Sequence, residues 1–209
     1  LDIVFSLIAI AVLGLPMLAV AFLVRVKLGS PVIFKQRRIG RGNREFLLLK
    51  FRTMTEERDE NGVYLPDADR LTPFGKFLRR TSIDELPSLI NIIRGEMSII
   101  GPRPLPVRYL PRYTKEELRR HTVRPGLSNV SVINGRNSQS WKDQFETDVW
   151  YVDHMNFRLD VKSVIDTVKI VITKEGATSA DGDSRCEFIG TADAADLSDD
   201  DCNYIKIQQ

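Results

Sequence analysis

The chain has 209 residues and a mass of 23.8 kDa, with 43% hydrophobic and 28% charged residues. That is enough for one domain with a sizeable core, too charged for a polytopic membrane protein and too apolar for a disordered chain. Two cysteines, Cys186 and Cys202, and two histidines, His121 and His154, exclude a disulfide framework, a zinc ribbon and a multi-histidine metal centre, and with them most redox, zinc and haem chemistry.

The formal net charge of +2 is unevenly divided. Thr178–Gln209 holds eight acids against two bases, a net of −6, which leaves +8 on Leu1–Ala177. A basic body implies an anionic partner, and the Asp/Ser/Ala-rich end reads as a solvated, weakly ordered tail.

No charged residue occurs from Ile3 to Val24. As a straight helix at about 1.5 Å per residue the run is roughly 30 Å long, enough to cross a bilayer core. It lacks a basic leader and a small-x-small cleavage site, so it reads as a retained membrane segment and not as a signal peptide. Pro16 falls near its middle, where an interior proline loses one backbone hydrogen bond and crowds the preceding turn. Two dispositions stay open on physical grounds: a kinked spanning helix, or a re-entrant hairpin of two half-helices, each too short to span. The cations Arg25, Lys27, Lys35, Arg37, Arg38, Arg41 and Arg44 put the following domain on the cytoplasmic side, against anionic headgroups. The chain thus divides into an anchor over 1–24, one cytoplasmic domain over 25–176 and the acidic tail over 177–209.

Val32–Lys35 and Phe46–Phe51 predict two short strands around the turn Gly40-Arg41-Gly42-Asn43. Gly40-x-Gly42 is no dinucleotide loop, because the third glycine and the strand–helix context are missing. Thr55–Asp69 is polar, with Asn61-Gly62 and Pro66, and predicts a long loop. Thr72-Pro73 opens a short helix through Arg80, and a second runs from about Glu85 to Arg94, stopped by Gly95. Thr114-Lys115-Glu116-Glu117 is a capping box for a third, and Ser140–Asp143 starts another that carries Phe145, Val149 and Val152 on one side. Val161, Val164, Ile165, Val168, Val171 and Ile172 form an apolar stripe at helical spacing, which predicts packing on the core, with the membrane surface as the other use of a basic amphipathic helix. The fold class is therefore α+β: an N-terminal membrane helix broken at Pro16, then one small helical domain with a short β-hairpin.

The chemistry concentrates in Arg79-Arg80-Thr81-Ser82-Ile83-Asp84-Glu85-Leu86-Pro87. Pro87 belongs in a first turn, so an adjacent carboxylate pair sits at a helix start, one turn from two arginines. Capping and dipole complementation account for such a pair in many proteins. The same place can also hold a phosphate, with one carboxylate as nucleophile and the other binding Mg²⁺. Lys50-Phe51-Arg52-Thr53-Met54 ends a strand with two cations on one face, and Arg103 and Arg136 are presented by the turns Gly101–Pro104 and Asn134–Asn137. Asp148 and Asp160 are isolated acids, read singly as capping or solvated groups.

In order, the Pro-broken apolar segment, Pro31–Gln36, Lys50–Met54, Ser82–Pro87, Gly95–Pro104, Arg124-Pro125-Gly126 and Asn134-Gly135-Arg136 resemble the small monotopic phosphoglycosyl transferases of bacterial glycoconjugate assembly. The likeness runs from about Asp2 to Ile172. It implies transfer of a sugar 1-phosphate from a UDP-sugar donor to polyprenol (undecaprenyl) phosphate, with release of UMP, as a first membrane step at the cytoplasmic face of the bacterial inner membrane. It further implies Asp84 as a nucleophile that takes the phosphosugar covalently, with ping-pong kinetics, and Glu85 as the Mg²⁺ ligand. Arg79 and Arg103 become phosphate-binding cations, joined as candidate substrate contacts by Lys50, Arg52 and Arg136. Asp148 and Asp160 fall where the family has functional polar residues, and the family's anchor is a re-entrant helix. This chain departs at Leu15-Pro16, where the family usually has Ser-Pro, and at Gly126–Ile133, where it commonly has a Thr-Gly and a Gln.

Membrane lipids are expected partners, and self-association is left open. A non-enzymatic, basic membrane-surface adaptor accounts for charge and anchor but not for the acid pair among arginines. A nucleic-acid binder would need interleaved aromatics and a groove-reading helix, so nucleic acid is not expected as a partner.

Overall fold

The computed structural model describes residues 1–130, 140–173 and 187–190, so Arg136 and its loop lie outside the described residues. The apolar segment is one helix, α1 (Asp2–Leu28), that runs through Pro16 without interruption. The two separate half-helices of a hairpin are not seen. Leu15 at 79% and Val12 at 70% exposure typify a helix that turns most of its apolar surface outward. Its inner side packs along the body: Ala9 and Ile10 meet Phe46, Leu48, Leu89, Ile92 and Met97, and Met17, Val20, Ala21 and Leu28 meet a second cluster of Val24, Phe51 and Leu78.

Both ends of α1 are tied to that body. Asp2 Oδ2 accepts hydrogen bonds from Ser98 Oγ and from an Arg124 amino group, both at 2.8 Å. At the far end the Arg52 guanidinium donates to the carbonyls of Leu28 and of Ser30, the latter at 2.8 Å, which satisfies acceptors that a helix C-terminus leaves open.

The hairpin is present and longer than predicted. Strands β1 (Ile33–Ile39) and β2 (Glu45–Phe51) pair antiparallel from Ile33↔Phe51 to Ile39↔Glu45. The polar run Gln36-Arg37-Arg38 hid the outer half of β1, whose outward face is solvated. Gly42 and Asn43 close the turn at φ 65° and 60°, the left-handed region that Gly and Asn enter at least cost. The loop after β2 ends in a single turn, α2 (Asp67–Arg70), followed by α3 (Pro73–Arg80) with Thr72 Oγ1 accepting the Gly75 N–H at 3.0 Å.

Two predicted helices are shorter and tighter than expected. The one from Glu85 to Arg94 is split into a 3₁₀ turn over Ile83–Ser88 and α4 (Leu89–Ile93). Pro87, inside the turn, has no N–H to donate, and Ser82 enters at φ 55°. The box at Thr114–Glu117 forms its reciprocal bonds, but it opens only a 3₁₀ turn over Glu117–Thr122. Val123 leaves that turn extended, ahead of Arg124-Pro125. Between these lies β3 (Ser98–Ile100), parallel to β4 (Gly126–Ser128), a pairing of residues far apart in the chain. Gly101 and Gly126 make it feasible: a Cβ on Gly126 would sit 2.2 Å from the Gly101 nitrogen.

Helix α5 (Trp141–His154) begins where Ser140–Asp143 predicts, with Ser140 and Asp143 forming a capping box, and α6 (Phe157–Thr173) comes next. The part of the α6 stripe whose side chains are described is not core: Val161, Val164, Ile165 and Val168 are 39–51% exposed. The helix instead faces the body with small polar groups, the buried Ser163 and the half-buried Thr167, whose Oγ1 lies 2.7 Å from Ser128 Oγ. Residues of the tail also depart from the solvated reading. Phe188 is fully buried among Ile39, Leu105, Tyr109, Tyr113 and Phe145, and Glu187 pairs with Arg108 and Arg112 at 2.9 Å.

Candidate active site

The site is built on the inner strand of the hairpin. Asn91, buried on α4, behaves as a short extra strand against β2. Its Oδ1 accepts the Leu49 N–H at 3.1 Å, and its Nδ2 donates to Leu47 O at 2.8 Å. Ser88 Oγ donates to Leu49 O at 2.7 Å. The Ile83–Ser88 turn is thereby clamped to β2, and Lys50 is brought opposite the acid pair.

Asp84 is 7% exposed. Glu85 reaches outward, with its Oε1 2.7 Å from Lys50 Nζ and 3.3 Å from an Arg103 amino group. Ser82 in the left-handed conformation turns the chain sharply before the pair, a strained placement for a non-glycine residue that fixes the two carboxylates in different surroundings. Burial pushes the Asp84 carboxyl from its ordinary 3.8 up to about 6; Lys50 opposes the shift, Glu85 adds to it, and Arg79 and Arg103 oppose it. One carboxylate is thus desolvated and the other paired with cations. Such a pair has distinct chemical roles available, because a desolvated carboxylate is the better nucleophile, while one held in its ionised form by cations is suited to be a ligand.

Arg79, in the last turn of α3, is oriented by its Nε donating to Thr53 Oγ1 at 3.0 Å. Lys50, Glu85 and Arg103 line one cavity with Arg38, Leu48, Ser88, Met97, Pro104, Gly126 and Leu127. Sequence reasoning left Arg38 in the basic flank of the anchor, although its alternation with Gln36 on β1 puts the two on one face. It did not find Asn91 or Ser88 at all; the one trace is a polar residue inside Leu89-Ile90-Asn91-Ile92-Ile93.

The remaining predicted residues are elsewhere. Arg52 is 3% exposed and its guanidinium is taken by Leu28 O, Ser30 O and Glu56, so it holds the end of α1. Asp148 is buried against Arg120, at 2.7 Å. Asp160 accepts a hydrogen bond from the Tyr151 hydroxyl at 2.7 Å and joins α5 to α6. Of the Asp84–Glu85 pair Glu85 alone lines the cavity, and no group of three or more His, Cys, Asp or Glu gathers among the described residues; a single carboxylate suits Mg²⁺, a hard ion that takes one or two carboxylates and fills its shell with phosphate oxygens and water.

On a small α+β body with a long apolar helix, an acid pair of unequal burial lies among cations that match phosphate, an arrangement suited to group transfer on anionic substrates. The sequence profile of the bacterial sugar transferases matches residues 1–174, and the chain belongs to that family. It is 49% identical over 172 residues to a sugar transferase of uncharacterised activity, EpsL of Bacillus subtilis strain 168, covering 82% of this chain and 85% of the relative. It is 36% identical to the UDP-N-acetylgalactosamine-undecaprenyl-phosphate N-acetylgalactosaminephosphotransferase of Aeromonas hydrophila, over 85% of this chain and 44% of the relative. It is 37% identical to the UDP-glucose:undecaprenyl-phosphate glucose-1-phosphate transferase of Xanthomonas campestris pv. campestris, over 80% and 37%. The chain spans less than half the length of these last two proteins.

Proposed function

We propose that the chain transfers a sugar 1-phosphate from a UDP-sugar to undecaprenyl phosphate through a covalent phosphosugar on Asp84. An Asp84 carboxylate oxygen attacks the sugar-bearing phosphorus, the bond from that phosphorus to the oxygen it shares with the α-phosphate breaks, and UMP leaves. An oxygen of the lipid phosphate then attacks the same phosphorus, the bond to Asp84 breaks, and the undecaprenyl diphosphate sugar forms. The observation that carries this reading is the buried Asp84 beside an outward-reaching Glu85 that Lys50 and Arg103 already hold. Desolvation raises the nucleophilicity of Asp84, while Lys50, Arg79 and Arg103 offset the repulsion between carboxylate and diphosphate. Glu85 would hold Mg²⁺, which would supply further neutralisation of the phosphate oxygens. The activities for which the Aeromonas and Xanthomonas relatives are named support the donor and acceptor classes.

The anchor reading is a helix that bends at Pro16, without ending there, so that it enters one leaflet and returns. A 27-residue helix is about 40 Å long, and a spanning one would carry Asp2 across a core of about 30 Å. Its contacts with Ser98 and Arg124 argue that both ends stay with the body. The exposed apolar residues of α6, Phe157 among them, suit the same headgroup level, where the lipid acceptor presents its phosphate.

The test is to incubate the detergent-solubilised protein with Mg²⁺ and a panel of UDP-sugars, without acceptor, and to record intact mass. A phosphosugar adduct on Asp84, absent in Asp84→Asn and discharged by undecaprenyl phosphate, is the expected result. UMP release that requires the acceptor and never accompanies an adduct would mean direct transfer and would remove Asp84 from the nucleophile's role.

A further inference from the structure

Arg120 and Asp148 form a buried pair, 1% and 2% exposed, that the transfer chemistry does not use. Arg120 comes from the Glu117–Thr122 turn and Asp148 from α5. Arg120 Nε and Nη2 donate to Asp148 Oδ2 at 3.1 and 2.7 Å, and Nη1 donates to the Tyr113 hydroxyl at 3.2 Å. Its Nη2 also donates to the main-chain carbonyl of Arg103 at 2.8 Å.

Stability alone is a poor account of such a pair. Desolvating both charges costs about what their attraction returns, and well-packed apolar replacements are commonly neutral or better. What an apolar pair cannot supply is a donor for the Arg103 carbonyl. The flanking carbonyls have main-chain donors: Gly126 N–H to Pro102 O at 3.0 Å and Ile39 N–H to Leu105 O at 3.1 Å. Arg103 is held between them by a side chain from a third element. Its own side chain is 49% exposed, with the guanidinium reaching Glu85 at 3.3 Å. A long, rotamer-rich side chain is aimed largely by the direction in which its backbone launches it.

The geometry points to Arg120, oriented by Asp148, as a positioning residue for Arg103. It anchors the Gly101–Leu105 segment so that the Arg103 guanidinium stands over the acid pair. Asp148 thereby affects the reaction through two intermediaries without touching substrate. The inference rests on the phosphate-binding role of Arg103 in the proposed transfer.

The test is a double-mutant cycle with Arg120→Lys and Arg103→Ala, read as kcat/KM and KM for the donor, beside hydrogen exchange over Gly101–Leu105. Lysine keeps the charge next to Asp148 but lacks the planar fork that serves two acceptors at once. Arg120→Lys is expected to lower kcat/KM by roughly tenfold to hundredfold and to speed exchange selectively in that segment. The double variant should be no worse than Arg103→Ala within about twofold, because the two act as one unit. Asp148→Asn, which keeps shape and one acceptor, should give the same selective exchange change if Arg120→Lys folds poorly. Losses that multiply in the double variant, or unchanged exchange at Gly101–Leu105 in both single variants, would overturn the inference. A wild-type protein that releases no UMP from any donor would overturn the proposed function instead, and the exchange comparison would then decide the positioning by itself.

Discussion

Asp84 is a residue whose ionised form weighs against the fold. Its folded pKa of about 6 lies above the ordinary 3.8, so between those values the folded state binds more protons than the unfolded one. Stability from this group is therefore present below about pH 4 and falls as pH rises through 6. At pH 7.5 the buried charge costs on the order of 1–3 kcal/mol. In a chelator-containing buffer, Asp84→Asn should melt higher than the wild type at pH 7.5, with the difference closing by pH 4. An Asn variant that melts no higher at pH 7.5 would mean that Lys50, Arg79 and Arg103 already compensate the burial in full. The same comparison separates Asp84 from Glu85, whose carboxylate is held by Lys50 and Arg103 and lacks that depth of burial.

At the scale of elements, the site depends on an unusual join between a strand and a short helix. Main-chain pairing uses one side of β2; on the other, Asn91 and Ser88 satisfy the Leu49 N–H and the carbonyls of Leu47 and Leu49. Asn91→Leu keeps the number of side-chain heavy atoms and the branching but orphans the Leu49 N–H and the Leu47 carbonyl, so it should cost about 2–4 kcal/mol in chemical denaturation. It should also lower turnover, because the Lys50–Glu85 contact rides on the same join. A stability loss under about 0.5 kcal/mol would show that water satisfies the strand in its place. The tight pass of Gly101 over Gly126 joins β3 to β4, with Arg103 just after the one strand and Arg124, tied to Asp2, just before the other.

For the whole molecule, the disposition of α1 is the decisive question, and it can be read by labelling. In a background with Cys186 and Cys202 replaced by Ser, Leu1→Cys and Arg37→Cys should both react with a membrane-impermeant maleimide from the same face of sealed vesicles. Labelling from opposite faces would establish a spanning helix and would break the Asp2–Arg124 contact in the membrane. On the proposed anchor reading the basic body and the exposed apolar faces of α1 and α6 would work together: charge would attract the anionic surface, and about 25 cal/mol per Å² of apolar area removed from water would hold the protein there.

Much of this was legible in local pattern. The charge-free run, the turn at Gly42-Asn43, the Thr72 and Ser140 caps and the clustering of acids with arginines are properties of neighbouring residues, so spacing and composition were enough to find them. Elements whose fate depends on distant partners were not legible: the β3–β4 pairing, the outward-facing stripe of α6 and the burial of Phe188 among four other aromatic rings. The sites divide in the same way. Residue type and order by themselves determined that Asp84 and Glu85 lie beside phosphate-matching cations. Only the tertiary structure decided that Lys50 faces Glu85 while Arg52, two residues on, caps α1, and that Asp148 serves Arg120. A side chain's partner is chosen by whatever donor or acceptor the fold leaves unsatisfied nearby, and that is set by contacts between segments far apart in the chain.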